Sequence, residues 1–450
     1  MRGSVRRGRR ARHGESDDAP LPVCERGRAH GGMTVFHRRL KYVVWFERSL
    51  RSFTWHDRTA GQETPAGPSC LLPRVARAAP VRRLALATAA ERCAVPCWKE
   101  PFHWRRSYPV ITHVLNEKEI KSLQGLVHEI ASHTHSVESA EFQKESRLYA
   151  GELPRELRRA VLDYRSSERS ATLVVSGLPV NDSGLGPTPL DRSGSSNDTA
   201  SLRQDIAFFL IAALLGDPVG WATQQNGRIM HDVYPVKEHE YGQIGWGSAE
   251  TLTWHTEDAF HPLRADYLGL MCLRNPDGVE TTVADIGDVR IDDDLRTLLA
   301  QERFFIRPDD AHRLTGHASD TTTGRAAELL RRSRERVERA LADPTPVAVL
   351  FGDIDDPYLC VDPYYMEDSQ GEEEQRALDA LGSAIDAALA DVVLRPGDIC
   401  FIDNFRAVHG RKPFRARFDG TDRWLRRLNI ARDLRPSRGA RLDAETRVIH

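Results

Sequence analysis

Short apolar segments interrupted by two long helical stretches constrain the fold of this chain most strongly. Each apolar segment is bounded by Gly, Asp, Pro or Asn, which is typical of short strands. The four segments are 267–273, 347–351, 399–402 and 424–430. Apolar residues recur every three or four positions in 324–342 and 371–391, which predicts helices. This order predicts an α+β protein with a double-sheet β core and inserted helices.

The segment before these strands predicts a helical layer. Asn116 precedes a run of apolar residues at helical spacing, and Glu119 follows three residues later, as in a capping box. Further expected elements are a helix at 153–166, a buried strand at 171–180, a turn-rich loop at 181–199 and an apolar helix at 205–216.

Charge divides the chain into two unlike parts. Residues 1–100 carry 20 basic and 9 acidic side chains, whereas residues 101–450 carry 43 basic and 56 acidic ones. The first part shows no regular period, and its main apolar patch, 42–46, is too short to form a core. We therefore expect residues 1–105 to be a basic, disordered extension or a mis-called gene start, and residues 106–450 to form the folded domain.

Composition also excludes several classes of protein. No apolar run approaches the roughly 18 residues that a membrane helix needs, so we expect no membrane partner. Seven cysteines without a disulfide pattern indicate a reducing, cytoplasmic location. Cys93 and Cys97 lack the companion ligands of a zinc site. The basic arm leaves nucleic-acid binding open as an alternative that we do not expect, and the sequence does not fix the oligomeric state.

One constellation in the acidic part indicates chemistry. His255 and Glu257 are two residues apart, so in a strand both side chains face one side. His409 follows 154 residues later, just after a predicted strand. Two histidines and one carboxylate are the ligand set of non-haem Fe(II) oxygenases. Arg423 lies fourteen residues beyond, and an arginine pairs with a carboxylate in two places, as a keto-acid co-substrate requires.

Each member of this constellation has an ordinary structural interpretation when it is taken alone. A single histidine is more often a hydrogen-bonded or solvated residue than a ligand, and a buried arginine near a strand is usually half of an ion pair. The full order of His-x-Glu, a distant His and a following Arg is more specific than any of its parts. We therefore predict Fe(II) held by His255, Glu257 and His409.

Longer segments around these residues resemble the clavaminate-synthase-like group of Fe(II)/2-oxoglutarate oxygenases, and within it the arginine and enduracididine hydroxylases of peptide-antibiotic pathways. The resemblance spans roughly residues 110–450. It is carried by GWATQQNGRIMHDVYPVK (220–237), TWHTEDAFHPLRADYLGLMCLRNPDGVETTVADI (253–286), QERFFIRPDDAH (301–312) and GDICFIDNFRAVHGRKPFRARFDGTDRWLRRLNIARDLRPSR (397–438). The fold that it implies is a distorted double-stranded β-helix, or jelly roll, with helical insertions and an N-terminal helical layer.

The resemblance also implies roles for individual residues. Arg423 would hold the distal carboxylate of 2-oxoglutarate, and Thr282 would assist it. Gln224 and Arg427 match positions that hold the backbone groups of an amino-acid substrate, with Arg427 at its carboxylate. Asp362 matches an acidic position that contacts the substrate side chain.

One position departs from the pattern of the arginine hydroxylases. Some of them have a second Asp two residues after the position of Asp362, and this chain has Tyr364 there. A cyclic guanidine such as enduracididine, placed against Tyr364, is therefore an alternative to plain arginine. Asp353 and Asp355 lie nearby, and we expect them in a solvated turn.

The function implied is hydroxylation, at Cβ, of free L-arginine or an arginine-derived amino acid. Fe(II), 2-oxoglutarate and O2 together would supply the oxidising power, with release of succinate and CO2. One alternative is an oxygenase of the same group that acts on asparagine or another amino acid. A second alternative is a jelly-roll binding protein without enzymatic activity.

Overall fold

The computed structural model describes residues 110–191, 200–313, 323–366 and 370–450. The expectations for residues 1–105, including those for Cys93 and Cys97, lie outside the described residues. The same holds for 192–199 of the predicted loop.

Helices of the described chain fall into an N-terminal group and an inserted group. They are α1 (Glu117–Ala131), α2 (Ala140–Ala150), α3 (Arg155–Ser167), α4 (Asp182–Leu185), α5 (Leu202–Ala212), α6 (Asp293–Leu299), α7 (Asp310–Arg313), α8 (Gly324–Ala342), α9 (Pro363–Met366) and α10 (Glu372–Ala388). Asn116 caps α1 and exchanges hydrogen bonds with Glu119, so the predicted capping box is confirmed.

Strands alternate with these helices along the chain. They are β1 (Ile111–Val114), β2 (Thr172–Ser176), β3 (Asp217–Trp221), β4 (His231–Val233), β5 (Leu252–His255), β6 (Tyr267–Arg274), β7 (Glu280–Asp285), β8 (Leu350–Gly352), β9 (Pro357–Leu359), β10 (Ala390–Val393), β11 (Ile399–Asp403), β12 (Ala407–Arg411), β13 (Trp424–Ala431) and β14 (Val448–Ile449). The α+β prediction agrees with this mixture of elements.

Two sheets form the β core of the described chain. The larger has eight strands in the order β1-β2-β11-β6-β13-β3-β14, with β4 paired to β13. The smaller has the order β10-β7-β12-β5, and β8 and β9 form a separate pair. Neighbouring strands are antiparallel except for the β1/β2 and β14/β3 pairs.

Alternation along β6 shows how the sheets are packed. Leu268, Leu270 and Cys272 belong to a buried cluster that also contains Val283 of the smaller sheet. The intervening residues, such as Met271, belong to the cluster formed with the N-terminal helices. The larger sheet is therefore covered on one face by helices and on the other by the smaller sheet.

Strand β13 follows the same alternation, and this positions the functional residues. Leu425 belongs to the cluster between the sheets, whereas Leu428 and Ile430 belong to the helical side. Arg426 also faces the helices, where its guanidinium pairs with Asp205 of α5 and with Asp232. The odd-numbered neighbours of Arg426 consequently face the space between the two sheets.

A third cluster packs inserted helices against the outer face of the smaller sheet. It contains Leu381 and Ile385 of α10, Leu299 of α6 and Val408 of β12. Among the described residues, no helix combines the length and the apolar character needed to span a membrane.

Candidate active site

The two histidines of the constellation lie on neighbouring strands. Antiparallel pairing places His255, the last residue of β5, directly opposite His409 in the middle of β12. Their ring centroids are 4.5 Å apart. His409 was expected after a strand and lies within one instead. Strand β12 is short and ends in Gly410 and Arg411, so its sequence does not resemble that of a strand.

Glu257 reaches the histidines from a turn, so the prediction that one strand would present His255 and Glu257 is wrong. Strand β5 ends at His255, and Asp258 turns the backbone with a φ of 52°. Asn404 fixes the turn: its Oδ1 accepts from the Glu257 amide at 2.7 Å, and its Nδ2 donates to the Glu257 carbonyl at 3.0 Å. The carboxylate is thereby positioned by a side chain from the β11–β12 connection.

Electrostatics at Glu257 and His409 favours the protonation states of metal ligands. Burial raises the pKa of Glu257, but Arg427 and the two histidines outweigh it and hold the pKa below the ordinary value. Burial and His255 lower the pKa of His409, which keeps its imidazole neutral at pH 7. A carboxylate beside neutral imidazole is the charge state that a divalent cation requires.

The donor atoms also converge as a metal site requires. Glu257 Oε2 lies 3.9 Å from His255 Nε2 and 3.4 Å from His409 Nε2. His255 Nδ1 donates to the Thr253 carbonyl at 2.8 Å, so the Nε2 lone pair remains available. Two imidazoles and one carboxylate fit Fe(II) and leave coordination positions for other ligands.

Arg427 links the candidate metal ligands to Gln224. Its Nη1 donates to Glu257 Oε1 at 2.6 Å, and its Nη2 donates to Gln224 Oε1 at 2.9 Å and to His231 Nδ1 at 2.7 Å. Burial and Arg427 together hold the pKa of His231 well below its ordinary value, so the imidazole accepts from the guanidinium. Arg427 and Gln224 both line the cavity at the histidines.

Two buried guanidiniums line the cavity without a carboxylate partner among the described residues. Burial lowers the pKa of Arg423 to about 10, and burial together with Arg423 lowers that of Arg411 to about 10. Arg411 is bonded to backbone carbonyls, whereas Arg423 Nη2 donates only a long 3.4 Å bond to Thr281 Oγ1. Buried cations in this arrangement can accept an anionic ligand.

The predicted partner of Arg423 needs a correction by one residue. Thr281, which is paired with Arg411 across β7 and β12, lines the cavity. Thr282 is paired with Gly410 and lies on the opposite face, because successive residues of a strand alternate. The hydroxyl that contacts Arg423 thus belongs to Thr281 and not to Thr282.

Acidic and aromatic residues complete the cavity lining. Burial raises the pKa of Asp362 to about 6, and the nearby carboxyl of Asp309 adds to the rise. Tyr364 in α9 also lines the cavity and is 44% exposed, with its ring 5.0 Å from that of Tyr365. The predicted solvation of Asp353 and Asp355 is confirmed, since both are exposed.

Sequence reasoning missed three residues near the metal ligands. Asp309 lines the cavity, Asn404 positions Glu257, and the buried His312 bonds to Asp258 at 2.8 Å. Asp309 and His312 lie in the segment 301–312, whose resemblance to the oxygenases was the available signal. Asn404 carried no such signal, because it lies 147 residues from Glu257 in the sequence.

Comparison with known proteins decides the family. The model of the "Taurine catabolism dioxygenase TauD, TfdA family" matches residues 198–429, more than half of the chain. The chain belongs to the TauD/TfdA dioxygenase family. The prediction of an Fe(II)/2-oxoglutarate-dependent oxygenase is confirmed at this level, and the non-enzymatic alternative is not supported.

Relatives of this TauD/TfdA dioxygenase include amino-acid hydroxylases. It is 66% identical over 341 residues to enduracididine beta-hydroxylase of Streptomyces hygroscopicus, covering 76% of this chain and 100% of that protein. It is 45% identical to L-ornithine/L-arginine 3-hydroxylase of Catenulispora acidiphila, over 75% of this chain and 98% of that protein. Clavaminate synthase 2 of Streptomyces clavuligerus is 31% identical, over 65% and 84%.

Solved structures give the same result. The dioxygenase matches the non-heme iron oxygenase OrfP in complex with Fe, succinate and (3S)-hydroxy-L-Arg, with a TM-score of 0.69 and 35% identity. It also matches OrfP in complex with Fe and alpha-ketoglutaric acid, with a TM-score of 0.65 and 34% identity. Each match covers 76% of this chain and 100% of the OrfP chain.

Proposed function

We propose that the protein hydroxylates Cβ of free L-arginine or of an arginine-derived amino acid such as enduracididine, in specialised peptide-antibiotic metabolism. The carrying observation is that one cavity joins a His-Glu-His ligand set to buried arginines and buried acids. The named relatives, a beta-hydroxylase of enduracididine and a 3-hydroxylase of ornithine and arginine, support both the reaction and the position.

His255, Glu257 and His409 would hold Fe(II). Iron with 2-oxoglutarate and O2 supplies the oxidative decarboxylation that releases succinate and CO2 and places a hydroxyl on the substrate. Glu257 offers one oxygen toward the histidines while Arg427 holds the other, which orients the carboxylate for a single bond to the metal.

The buried arginines define the end of the cavity for 2-oxoglutarate. Arg423 would bind the distal carboxylate, and the Thr281 hydroxyl beside it, rather than Thr282, would contribute a further contact. Arg411 adds positive potential at the same place. An anion bound there compensates two cations that the folded protein otherwise buries without a counter-ion among the described residues.

Acidic residues favour a cationic substrate side chain. Arg427 would hold the substrate carboxylate and Gln224 its ammonium. Asp362 would accept a hydrogen bond from the guanidine. Asp309 lies close enough to raise the pKa of Asp362 and would supply the second acid of the cavity, since Tyr364 stands at the position where some arginine hydroxylases have an Asp. Tyr364 would offer an aromatic face to a guanidinium or a cyclic guanidine.

Asparagine is the alternative that the same family allows, because L-asparagine oxygenase of Streptomyces coelicolor is 35% identical over 292 residues. A neutral amide leaves the two acids without a cationic partner, which disfavours asparagine as the substrate.

The proposal also includes the finer fold, in which the two packed sheets form the distorted double-stranded β-helix of these oxygenases, and a domain division at residue 105. A helical layer and inserted helices around two mainly antiparallel sheets support that architecture.

A substrate panel tests the proposal. The full chain is incubated with Fe(II), 2-oxoglutarate, O2 and either arginine, enduracididine or asparagine, and the hydroxylated product is identified by NMR. Formation of a Cβ-hydroxylated guanidino amino acid supports the proposal. Coupled turnover of asparagine alone would overturn it.

One variant tests whether the residue at position 364 sets the preference between arginine and enduracididine. Tyr364→Asp restores the second acid of the arginine hydroxylases, and we expect it to raise the preference for arginine over enduracididine. Asp353→Asn is the matched control, since it changes an exposed acid outside the cavity and should leave the preference unchanged.

A further inference from the structure

A buried network behind Gln224 sets which end of its amide faces the cavity. Gln224 is 5% exposed, and its Nε2 donates to Asp258 Oδ1 at 3.1 Å, while its Oε1 accepts from Arg427 at 2.9 Å. A carboxylate only accepts and a guanidinium only donates. The opposite orientation would therefore place oxygen against oxygen at Asp258 and nitrogen against nitrogen at Arg427.

Asp258 is itself held in place from several directions. The Trp221 indole donates to its Oδ2 at 2.6 Å, and the Asn429 amide donates to the same oxygen at 3.3 Å. His312 Nε2 bonds to the other oxygen, Oδ1, at 2.8 Å. The backbone of Asp258 adopts a left-handed φ of 52°, a conformation that a non-glycine residue holds only when its surroundings stabilise it.

His312 is oriented as firmly as its acceptor. Its Nδ1 lies 2.7 Å from Thr223 Oγ1, and its ring packs edge-on against Trp221 and Phe260 at 5.3 and 4.9 Å. Because Nε2 of His312 donates to Asp258 Oδ1, the 3.0 Å approach of the Gln224 nitrogen is a contact between two donors that share one acceptor.

We infer that Asp258 and His312 are positioning residues that hold the Gln224 carbonyl toward the cavity, so that the enzyme selects substrates with an α-ammonium group. This inference rests on the proposed function and adds a specificity role for two residues that act through Gln224. A carbonyl oxygen accepts from an ammonium, whereas the reversed amide would present a second donor to it. The same network should therefore exclude 2-hydroxy acids, whose hydroxyl makes a weaker bond to that oxygen.

Asp258→Asn reverses the network without changing its shape. Two donors, Trp221 and Asn429, converge on the Oδ2 position, so the new carbonyl oxygen must occupy it. The new amide nitrogen then replaces Oδ1 and faces the nitrogens of both Gln224 and His312. His312 accepts from it once its proton moves to Nδ1, beside Thr223 Oγ1, and Gln224 accepts from it by turning its own oxygen away from the cavity.

Binding of two ligands measures the effect without turnover. The probes are L-arginine and its 2-hydroxy acid analogue, titrated calorimetrically under anaerobic conditions into the full chain loaded with Mn(II) and 2-oxoglutarate. We expect the wild type to prefer arginine and Asp258→Asn to reduce that preference by roughly ten-fold to a hundred-fold, the range for a hydrogen bond to a charged group. His312→Phe should reduce it by roughly three-fold to ten-fold, because Asp258 and Gln224 keep their direct bond.

A matched histidine separates positioning from general packing. His261 is also buried and also packs on Trp221, with ring centroids 4.4 Å apart, but its ring nitrogens bond to Arg336 and the Leu263 amide and not to the Asp258 carboxylate. The bond from its backbone amide to the Asp258 carbonyl is unaffected by a change of side chain. His261→Phe should therefore leave the ratio of the two affinities unchanged. Partial misfolding lowers the amount of binding protein but does not change that ratio.

Two outcomes distinguish a failure of this inference from a failure of the proposed function on which it rests. A wild-type protein that binds neither arginine nor its analogue overturns the proposed function, and the inference with it. A wild type that discriminates, together with an Asp258→Asn protein that keeps the full preference, overturns the inference alone.

Discussion

Replacement of Arg423 by Met separates a ligand-binding arginine from a structural one. Arg423 is buried and has no carboxylate partner among the described residues, so the folded protein without 2-oxoglutarate bears the full cost of burying its charge. The fall of its pKa from the ordinary value of an arginine to about 10 corresponds to roughly 3 kcal/mol. We therefore expect Arg423→Met to raise the free energy of unfolding of the ligand-free protein, by at most about 3 kcal/mol.

The same substitution, Arg423→Met, should weaken the binding of 2-oxoglutarate. Removal of one partner of a buried charge pair costs about 2–5 kcal/mol, which weakens binding by roughly 30-fold to several thousand-fold. Calorimetric titration with 2-oxoglutarate in the presence of Mn(II) measures this loss directly. Differential scanning fluorimetry should show that 2-oxoglutarate stabilises the wild type but not the variant.

Arg426→Met is the matched control, because Arg426 is buried on the same strand but is fully paired. Its guanidinium bonds to Asp205, Asp232 and the Ser201 hydroxyl, so its loss removes ion pairs from two buried carboxylates. We expect a loss of about 3–5 kcal/mol in the free energy of unfolding. The reasoning is refuted if Arg423→Met destabilises the ligand-free protein as much as Arg426→Met does and still binds 2-oxoglutarate with unchanged affinity.

Two further predictions concern the support of Glu257 and the pH dependence of stability. Asn404→Ala should weaken Fe(II) binding about 10- to 100-fold in a metal titration, because it removes both bonds to the Glu257 backbone. Asn275→Ala is the control: it removes three comparable bonds made by the β6–β7 turn and should leave the affinity for Fe(II) unchanged. Equal losses of affinity in the two variants would contradict the role of Asn404. Burial raises the pKa of Asp403 to about 7. Between about pH 4 and pH 7 the folded protein therefore keeps a proton on Asp403 that the unfolded chain releases. The contribution of protonated Asp403 to the free energy of unfolding is present at low pH and is lost as the pH rises through 7. Thermal unfolding of Asp403→Asn should therefore show a gain over the wild type at pH 8 that is absent at pH 4, and a gain independent of pH would contradict this.

Local patterns in the sequence were sufficient for much of the fold. The capping residues of α1, the apolar face of α8 and the buried strands β6, β11 and β13 depend on neighbouring residues, and all are present near the expected bounds. Strands β5, β7 and β12 were not predicted, since they are short, carry polar side chains into the cavity and depend on long-range pairing.

The candidate site shows the same division between local and distant causes. The residue types and order of His255, Glu257 and His409 indicated a metal site, but not that Glu257 would lie in a turn held by Asn404. The choice between Thr281 and Thr282 depends on strand register, which a slip of one residue reverses. Asp309 could not be placed in the cavity because its segment carries no period that connects it to the sheets.

Measurement of Fe(II) binding and of product formation in the same samples tests the central claim most directly. Wild-type protein and His255→Ala are titrated with Fe(II), and succinate and hydroxylated arginine or enduracididine are then quantified in the same samples. We predict that the wild type binds one Fe(II) and forms succinate and hydroxylated amino acid in equal amounts, whereas His255→Ala loses both metal binding and product. Unchanged Fe(II) binding and coupled turnover in His255→Ala would contradict the assignment of the metal site.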